Sequence, residues 1–242
     1  MSSGIERPVW TTPEPGSRRP RFTREQIAQT AIDLADAEGL EAVSMRRVAA
    51  ELGAGTMTLY HYVPTKNDLL ALMADLMMGE LLVPEAELQQ GWRHALTAIA
   101  RRSRAVMRKH SWILAIQENE PRFGPNGLRH FEQSLAAVEE LGLEPIERLE
   151  VISLVDDYAF GVVTREHQEE NERTDEFVEA IATWIRNLVA TGEFPHVAAL
   201  FDGEDPAAAF RRMQDSVTED ERFQRGLDYL LDGVALRFER KP

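Results

Sequence analysis

Two short helical segments joined by a glycine corner leave this chain few folds to choose from. The stretch Ser44 to Lys66 reads SMRRVAAELGAGTMTLYHYVPTK. Ser44 is an N-cap with Val43 and Val48 as a hydrophobic staple, and the helix it opens ends at Leu52. Gly53-Ala54-Gly55 makes a tight corner, and a second short helix, Thr56 to Tyr62, stops before Pro64. Another helix precedes both. Thr23 and Gln26 form its capping box, Phe22 and Ile27 its staple, Ile27, Ala31 and Leu34 its apolar stripe, and Gly39 closes it. Three helices with a tight turn between the second and third make a helix-turn-helix unit, whose last helix enters the DNA major groove.

The remainder reads as helical throughout. Thr65 caps a fourth helix over 68–82, apolar on most sides through Leu69, Leu70, Leu72, Met73, Leu76 and Met77, with Asp68 near its positive end. Further helices are expected over 92–109, 112–117, 128–141, 145–170, 175–189 and 221–239. Residues 121–125 form a break, Asp202 to Pro206 a loop, and 215–221 a polar stretch. No strand pattern or repeat stands out. The expected fold is all-α. A disordered arm over 1–21, with four prolines and the cluster Arg18-Arg19-Pro20-Arg21, precedes a DNA-binding head over 22–66. A larger helical domain over 67–242 would bind an effector and dimerise.

A net charge of −14 on 242 residues would oppose DNA binding if it were spread evenly. Its distribution removes the objection: residues 1–66 hold eight Lys/Arg and eight Asp/Glu, so 67–242 carry the whole −14. A neutral head on an acidic body binds DNA if its cations face the phosphates. The chain has no cysteine, which excludes disulfides and thiol chemistry. No apolar run approaches the ~20 residues that span a bilayer, and no signal segment opens the chain, so a cytoplasmic location and no membrane partner are expected. Glycine-rich phosphate loops, nucleophile elbows and zinc motifs are missing, so no enzyme is indicated.

Within the head, Thr56, Met57 and Thr58 sit where a reading helix meets base edges, and Tyr60, His61 and Tyr62 lie further along, within reach of phosphates. Arg46 opens the preceding helix, pointing toward the same groove, and a bidentate arginine–guanine pair is the commonest specific contact. Lys66, at the start of the fourth helix, would share a phosphate with the helix N-terminus. Two body helices are apolar on more than one side. One carries Leu149, Ile152, Val155, Ala159 and Val162 on one side and Val151, Leu154, Tyr158 and Gly161 on another. The last carries Phe223, Leu227, Leu230, Leu231, Val234 and Phe238. Both fit plain core helices. Both also fit a homodimer contact through Ile152, Val155, Ala159, Val162, Leu227, Leu230, Leu231 and Val234, which suits a head that acts in pairs.

The strings TREQIAQTAIDLADAEG, SMRRVAAELG and TLYHYVPTKNDLL, within Thr23 to Leu82, resemble the tetracycline-repressor (TetR) family of transcriptional regulators. EPIERLEVISLVDDYAFGVV and FQRGLDYLLDGVALRF resemble the last two long helices of the repressor that gives the family its name. The resemblance implies a homodimer joined by a four-helix bundle, a pseudo-palindromic operator on double-stranded DNA, and release by a small molecule. It places Arg46, Thr56, Met57, Thr58, Tyr60, Tyr62 and Lys66 among the DNA contacts, with Gly55 replacing an acidic base-reader.

The same resemblance implies a drug held through magnesium, but this chain departs from that set. Leu82 and Ile99 replace a histidine and an asparagine, and Arg165 replaces a carboxylate of the metal's water shell. No histidine lies between Trp112 and Leu128, where the direct ligand belongs. The expectation is therefore no metal, no cofactor, and a small, largely apolar organic effector. Its candidate contacts are Met78, Leu82, Ile99, Ser103, Met107, Trp112, Phe131, Leu135, Asp157 and Tyr158, each of which also fits ordinary core packing. Glu166 and His167 with Glu169 and Glu170 read as a solvated face. A constitutive DNA binder without a ligand, and a helical enzyme without a recognisable motif, remain as alternatives.

Overall fold

The computed structural model describes residues 8–13, 21–116, 124–172 and 175–238, and among them it contains helices and turns but no strand. Local capping chemistry sets the first four helices. Helix α1 (Arg24–Glu38) opens on the expected box: the Thr23 hydroxyl accepts from the Gln26 N–H at 3.1 Å, and the Gln26 side chain accepts from the Thr23 N–H at 3.0 Å. Helix α2 (Met45–Glu51) opens on Ser44, which accepts from the Arg47 N–H. Gly53, at φ +60°, turns the chain into α3 (Thr56–Tyr62). Helix α4 (Lys66–Glu80) starts two residues earlier than expected, because Thr65 is itself the cap and accepts from the Asp68 N–H at 3.0 Å.

Contacts divide the chain into two compact units, 1–163 and 164–242. In the first, Ile27, Ile32, Val43, Val48, Leu59, Leu69 and Met73 form one buried core, so the head does not end at residue 66 but continues into α4. The expectation of a disordered arm fails at residues 8–13, where a 3-10 turn at Val9–Thr11 leaves Val9 only 3% exposed. Arg24, itself buried, holds that turn: its guanidinium donates to the carbonyls of Val9 (2.6 Å), Thr12 (2.7 Å) and Tyr62 (2.9 Å). The first unit continues through α5 (Glu85–Leu88), α6 (Trp92–Lys109), a 3-10 turn (Ser111–Ala115), α7 (Pro125–Ala137) and most of α8 (Pro145–Glu172).

The second unit holds the end of α8, then α9 (Asp175–Val189), α10 (Pro195–Phe201), α11 (Pro206–Asp215) and α12 (Glu219–Phe238). The sequence reading missed α10 and α11. Each begins with proline at its first position, where the missing N–H has no partner to lose, and Asp205 caps α11 through the Ala207 N–H. Residues 1–7, Arg18-Arg19-Pro20, the 121–123 part of the expected break, and the side chains of Glu169 and Glu170 lie outside the described residues.

The expected dimer residues need correction. Ile152, Val155, Ala159, Val162, Leu227, Leu231 and Val234 are buried within the single chain, and Leu230 is half-buried. A side chain already covered by its own chain has no apolar surface left for a partner. The apolar surface that remains lies on other sides of these helices: Leu154 and Gly161 on α8, and Tyr229, Gly233 and Leu236 on α12.

Candidate functional site

The reading helix presents its side chains as its length dictates. Two turns suffice to bury Leu59 and Tyr62 and leave the rest facing out. Met57 is 80% exposed, Tyr60 and His61 are exposed, and Thr56 and Thr58 are half-buried. Tyr62 departs from the expectation. It is 7% exposed, packed edge-on to Phe22 and His61, while its carbonyl receives Arg24, so its ring serves the head core instead of a phosphate. Arg46 and Arg47 are neighbours with different roles. Arg47 pairs with Glu38 at 2.8 Å and Glu51 at 3.1 Å, whereas Arg46 is exposed and has no ion-pair partner among the described residues. Lys66 is exposed at the first position of α4. Arg21, unremarked in the sequence, donates to the Gly53 carbonyl at 2.8 Å and ties the chain before α1 to the corner between α2 and α3.

At its other end α4 meets a polar node. The His110 ring is 1% exposed, with Nδ1 at 2.7 Å from Asp36 Oδ1 and Nε2 at 3.2 Å from Glu80 Oε1. Trp112 Nε1 donates to the same Asp36 oxygen at 2.6 Å, and Lys109 pairs with Glu80 at 2.8 Å. Burial alone would raise the Glu80 carboxyl, but hydrogen bonds from Lys109 and His110 outweigh it and hold it below its ordinary value. The node fastens α1, α4 and the end of α6 together. Sequence reasoning missed it.

A cavity of about 370 Å³ opens between α4, α6, α7 and α8. Its walls are mainly apolar: Met77, Met78 and Leu81 of α4, Met107 of α6, Phe131 of α7, Leu149, Ile152 and Phe160 of α8, and Ile113 of the 3-10 turn. Ser103, His130, Ser134, Ser153 and Asp156 supply its polar groups. His130 is buried and its Nδ1 has no hydrogen-bond partner, and burial lowers its pKa. Asp156 retains accessible surface, yet the protein atoms crowding it and, second, the Asp157 charge push its carboxyl up to about 6. A larger groove of about 850 Å³ runs along α5 and α6, lined by Glu87, Arg93, His94, Arg101 and Arg102. That groove is polar and uses neither α7 nor α8, which suits an organic ligand less well than the apolar cavity.

Four expected lining residues reach the cavity: Met78, Ser103, Met107 and Phe131. Six do not. Leu82 turns to the polar groove, Ile99 is closed off at 1% exposure, and Leu135 is half-buried away from the cavity. Trp112 packs into the head core, drawn there by Asp36. Asp157 and Tyr158 miss by register. The cavity face of α8 is Leu149, Ile152, Ser153, Asp156 and Phe160, and each step along a helix turns the side chain by about 100°, so Asp156 replaces its neighbours.

Residues 27–73 match the model of bacterial regulatory proteins of the tetR family, and residues 83–238 match that of the tetracyclin repressor-like C-terminal domain. The chain is 37% identical over 235 residues to the HTH-type transcriptional repressor DrrR1 of Streptomyces coeruleorubidus, covering 93% of this chain and 83% of the relative. It is 32% identical over 241 residues to an HTH-type transcriptional regulator of Saccharopolyspora erythraea, covering 97% and 94%. The structure of the Streptomyces coelicolor TetR family protein ActR in complex with actinorhodin superposes with a TM-score of 0.74 at 25% identity, covering 91% of this chain and 99% of that one.

Proposed function

This chain belongs to the TetR family of bacterial transcriptional regulators, and on that premise we propose that it is a ligand-released repressor. It binds a pseudo-palindromic operator as a homodimer, with Arg46, Thr56, Met57, Thr58 and Tyr60 at the bases and backbone and Lys66 at a phosphate. A small, largely apolar organic molecule in the α4–α8 cavity releases it. The observation that carries this reading is α4 itself, one helix with Lys66 at its head end and Met77 and Met78 on the cavity wall. Fifteen residues make a rod of about 22 Å, long enough to turn a small shift at the cavity into a change of head position. The ligand works only through its different affinities for the operator-bound and released states. That DrrR1 is named a repressor and that ActR binds actinorhodin supports the reading.

The proposed mechanism uses no magnesium. Among the described residues the cavity wall offers one carboxylate, Asp156, and one imidazole, His130, whereas magnesium prefers several oxygen ligands. The second copy covers the exposed apolar surface of α8 and α12 at Leu154, Tyr229 and Leu236.

The test is a mobility shift on DNA upstream of the chain's own gene, with three variants. Arg46→Ala weakens binding by about 1–3 kcal/mol and relaxes preference at one base pair. Lys66→Ala weakens all sequences alike and lowers the salt slope by about one. Arg47→Ala, whose guanidinium is taken by Glu38 and Glu51, binds as the native chain does. Native affinity for both the Arg46 and Lys66 variants would remove the head assignment.

A further inference from the structure

The cavity has a one-sided electrostatic character that narrows its ligand beyond "apolar". Among the described residues, its wall holds one carboxylate, Asp156, and no lysine or arginine. The other polar groups are three serines and His130, a buried imidazole whose Nδ1 has no partner. The wall also holds polarisable and aromatic groups, Met77, Met107, Phe131 and Phe160. Thioethers and ring faces favour a flat, unsaturated body, and ring faces also attract cations.

We propose that this cavity selects an amphipathic organic cation: an aromatic body seated among the methionines and phenylalanines, with one protonated amine against Asp156. The inference rests on the reading of the cavity as the effector site. Asp156 is exposed to the water of the cavity, and a ligand that displaces that water leaves the carboxylate costly unless it is paired. A neutral ligand that covers it strips its water and returns nothing. An anionic ligand adds repulsion, and no basic side chain among the described residues of the wall offsets it. An ammonium group supplies the missing charge and donates to the carboxylate. The acidic body, with −14 over 67–242, steers cations inward as well.

The experiment uses the full chain and three matched probes, naphthylmethylamine, naphthylmethanol and naphthoate, titrated by calorimetry. The amine is expected to bind about tenfold more tightly than the alcohol, between the weak coupling of exposed ion pairs and the strong coupling of desolvated ones. Naphthoate binds weakest. Asp156→Asn removes the amine's advantage and leaves the alcohol unchanged. Ser103→Trp, which fills the cavity from α6, abolishes binding of all three. Equal affinities for amine and alcohol, tighter binding of naphthoate, or an amine preference that survives Asp156→Asn would overturn the charge assignment while leaving the cavity as the effector site. Binding that survives Ser103→Trp, or no binding by any probe, would overturn the cavity reading and the inference with it.

Discussion

Asp75 is the joint between the DNA lever and the cavity wall. It sits in the middle of α4, and its Oδ1 accepts from the backbone N–H groups of Asn126 and Gly127, each at 3.0 Å. These are free N–H groups of the first turn of α7, so a side chain of one helix caps another. Asp75→Ala leaves both donors without their acceptor. A lost cap costs about 0.5–2 kcal/mol, and the charge on the acceptor raises the figure to about 2–3 kcal/mol. For a chain of this size that lowers Tm by roughly 4–12 °C. Asp75→Asn keeps an oxygen acceptor and loses only the charge, so it costs less than half as much. Gly124 gives an independent route to the same joint. A Cβ there would overlap the Asp75 carboxylate and come within 2.8 Å of the Asp75 Cβ, so Gly124→Ala must push the cap aside. Scanning calorimetry of the two single variants and the double variant decides the matter. Because both break one joint, their losses are not additive, and the double variant resembles the worse single one. Operator affinity without effector is retained, while effector-driven release weakens. Additive losses, or Asp75→Ala within ~0.5 kcal/mol of native, would refute the joint.

Two further predictions follow from burial and charge. Tyr229→Glu, on the exposed side of α12, gives a folded monomer by light scattering, whereas Leu231→Glu buries an unpaired charge at a fully buried position and loses the fold by several kcal/mol by order of magnitude; a dimeric Tyr229→Glu would remove α12 from the interface. Asp156 in the folded chain titrates at about 6 against an ordinary 3.8, so ionising it penalises the native state: stability falls as pH rises from about 4 to about 6 and stays lower above. Asp156→Asn is therefore no more stable than native near pH 4 and more stable near pH 8. His130 on α7 and Asp157 on α8 are present in both chains, so their own titrations largely cancel in the comparison, and equal stabilities at the higher pH would reject the cause.

The head was legible because its signals are local. The Thr23–Gln26 box, the Ser44 and Thr65 caps and the Gly53 corner each act within four residues, and the structure shows each of them. The cavity was legible only in part because its residues depend on helix register. Helix α8 is apolar around most of its circumference, so periodicity does not say which side meets the cavity, which the core and which a partner. That ambiguity placed Asp157 and Tyr158 on the cavity where Asp156 stands, and offered to a partner Ile152 and Val155, which their own chain buries. Two missed residues did carry a signal. Arg24 is a cation at the positive end of α1, an unfavourable place unless it has another task, and here it clamps Val9, Thr12 and Tyr62. Asp75 is a carboxylate inside the apolar run LLALMADLMM, where an unpaired charge would be costly.

The way the first unit is fastened favours one mode of response over others. The head core includes Leu69 and Met73 of α4 and Trp112 of the 3-10 turn, so α1 to α4 and that turn share one interior. The node of Asp36, Glu80, Lys109, His110 and Trp112 adds directional bonds between α1, the end of α4 and the end of α6. Close-packed interiors resist sliding by fractions of a residue. A ligand therefore does not remodel the head from within. The cavity is also walled by α7 and α8, which lie outside the node; α7 reaches α4 through Asp75, and Met77 and Met78 of α4 line the same cavity. Force applied there acts beside the Glu80 end of α4, and Lys66 lies at the far end of the rod. On the proposed function, the response this geometry favours is a tilt of head and α4 together about the His110 node, which would change the spacing of two heads on the operator and leave each reading surface intact.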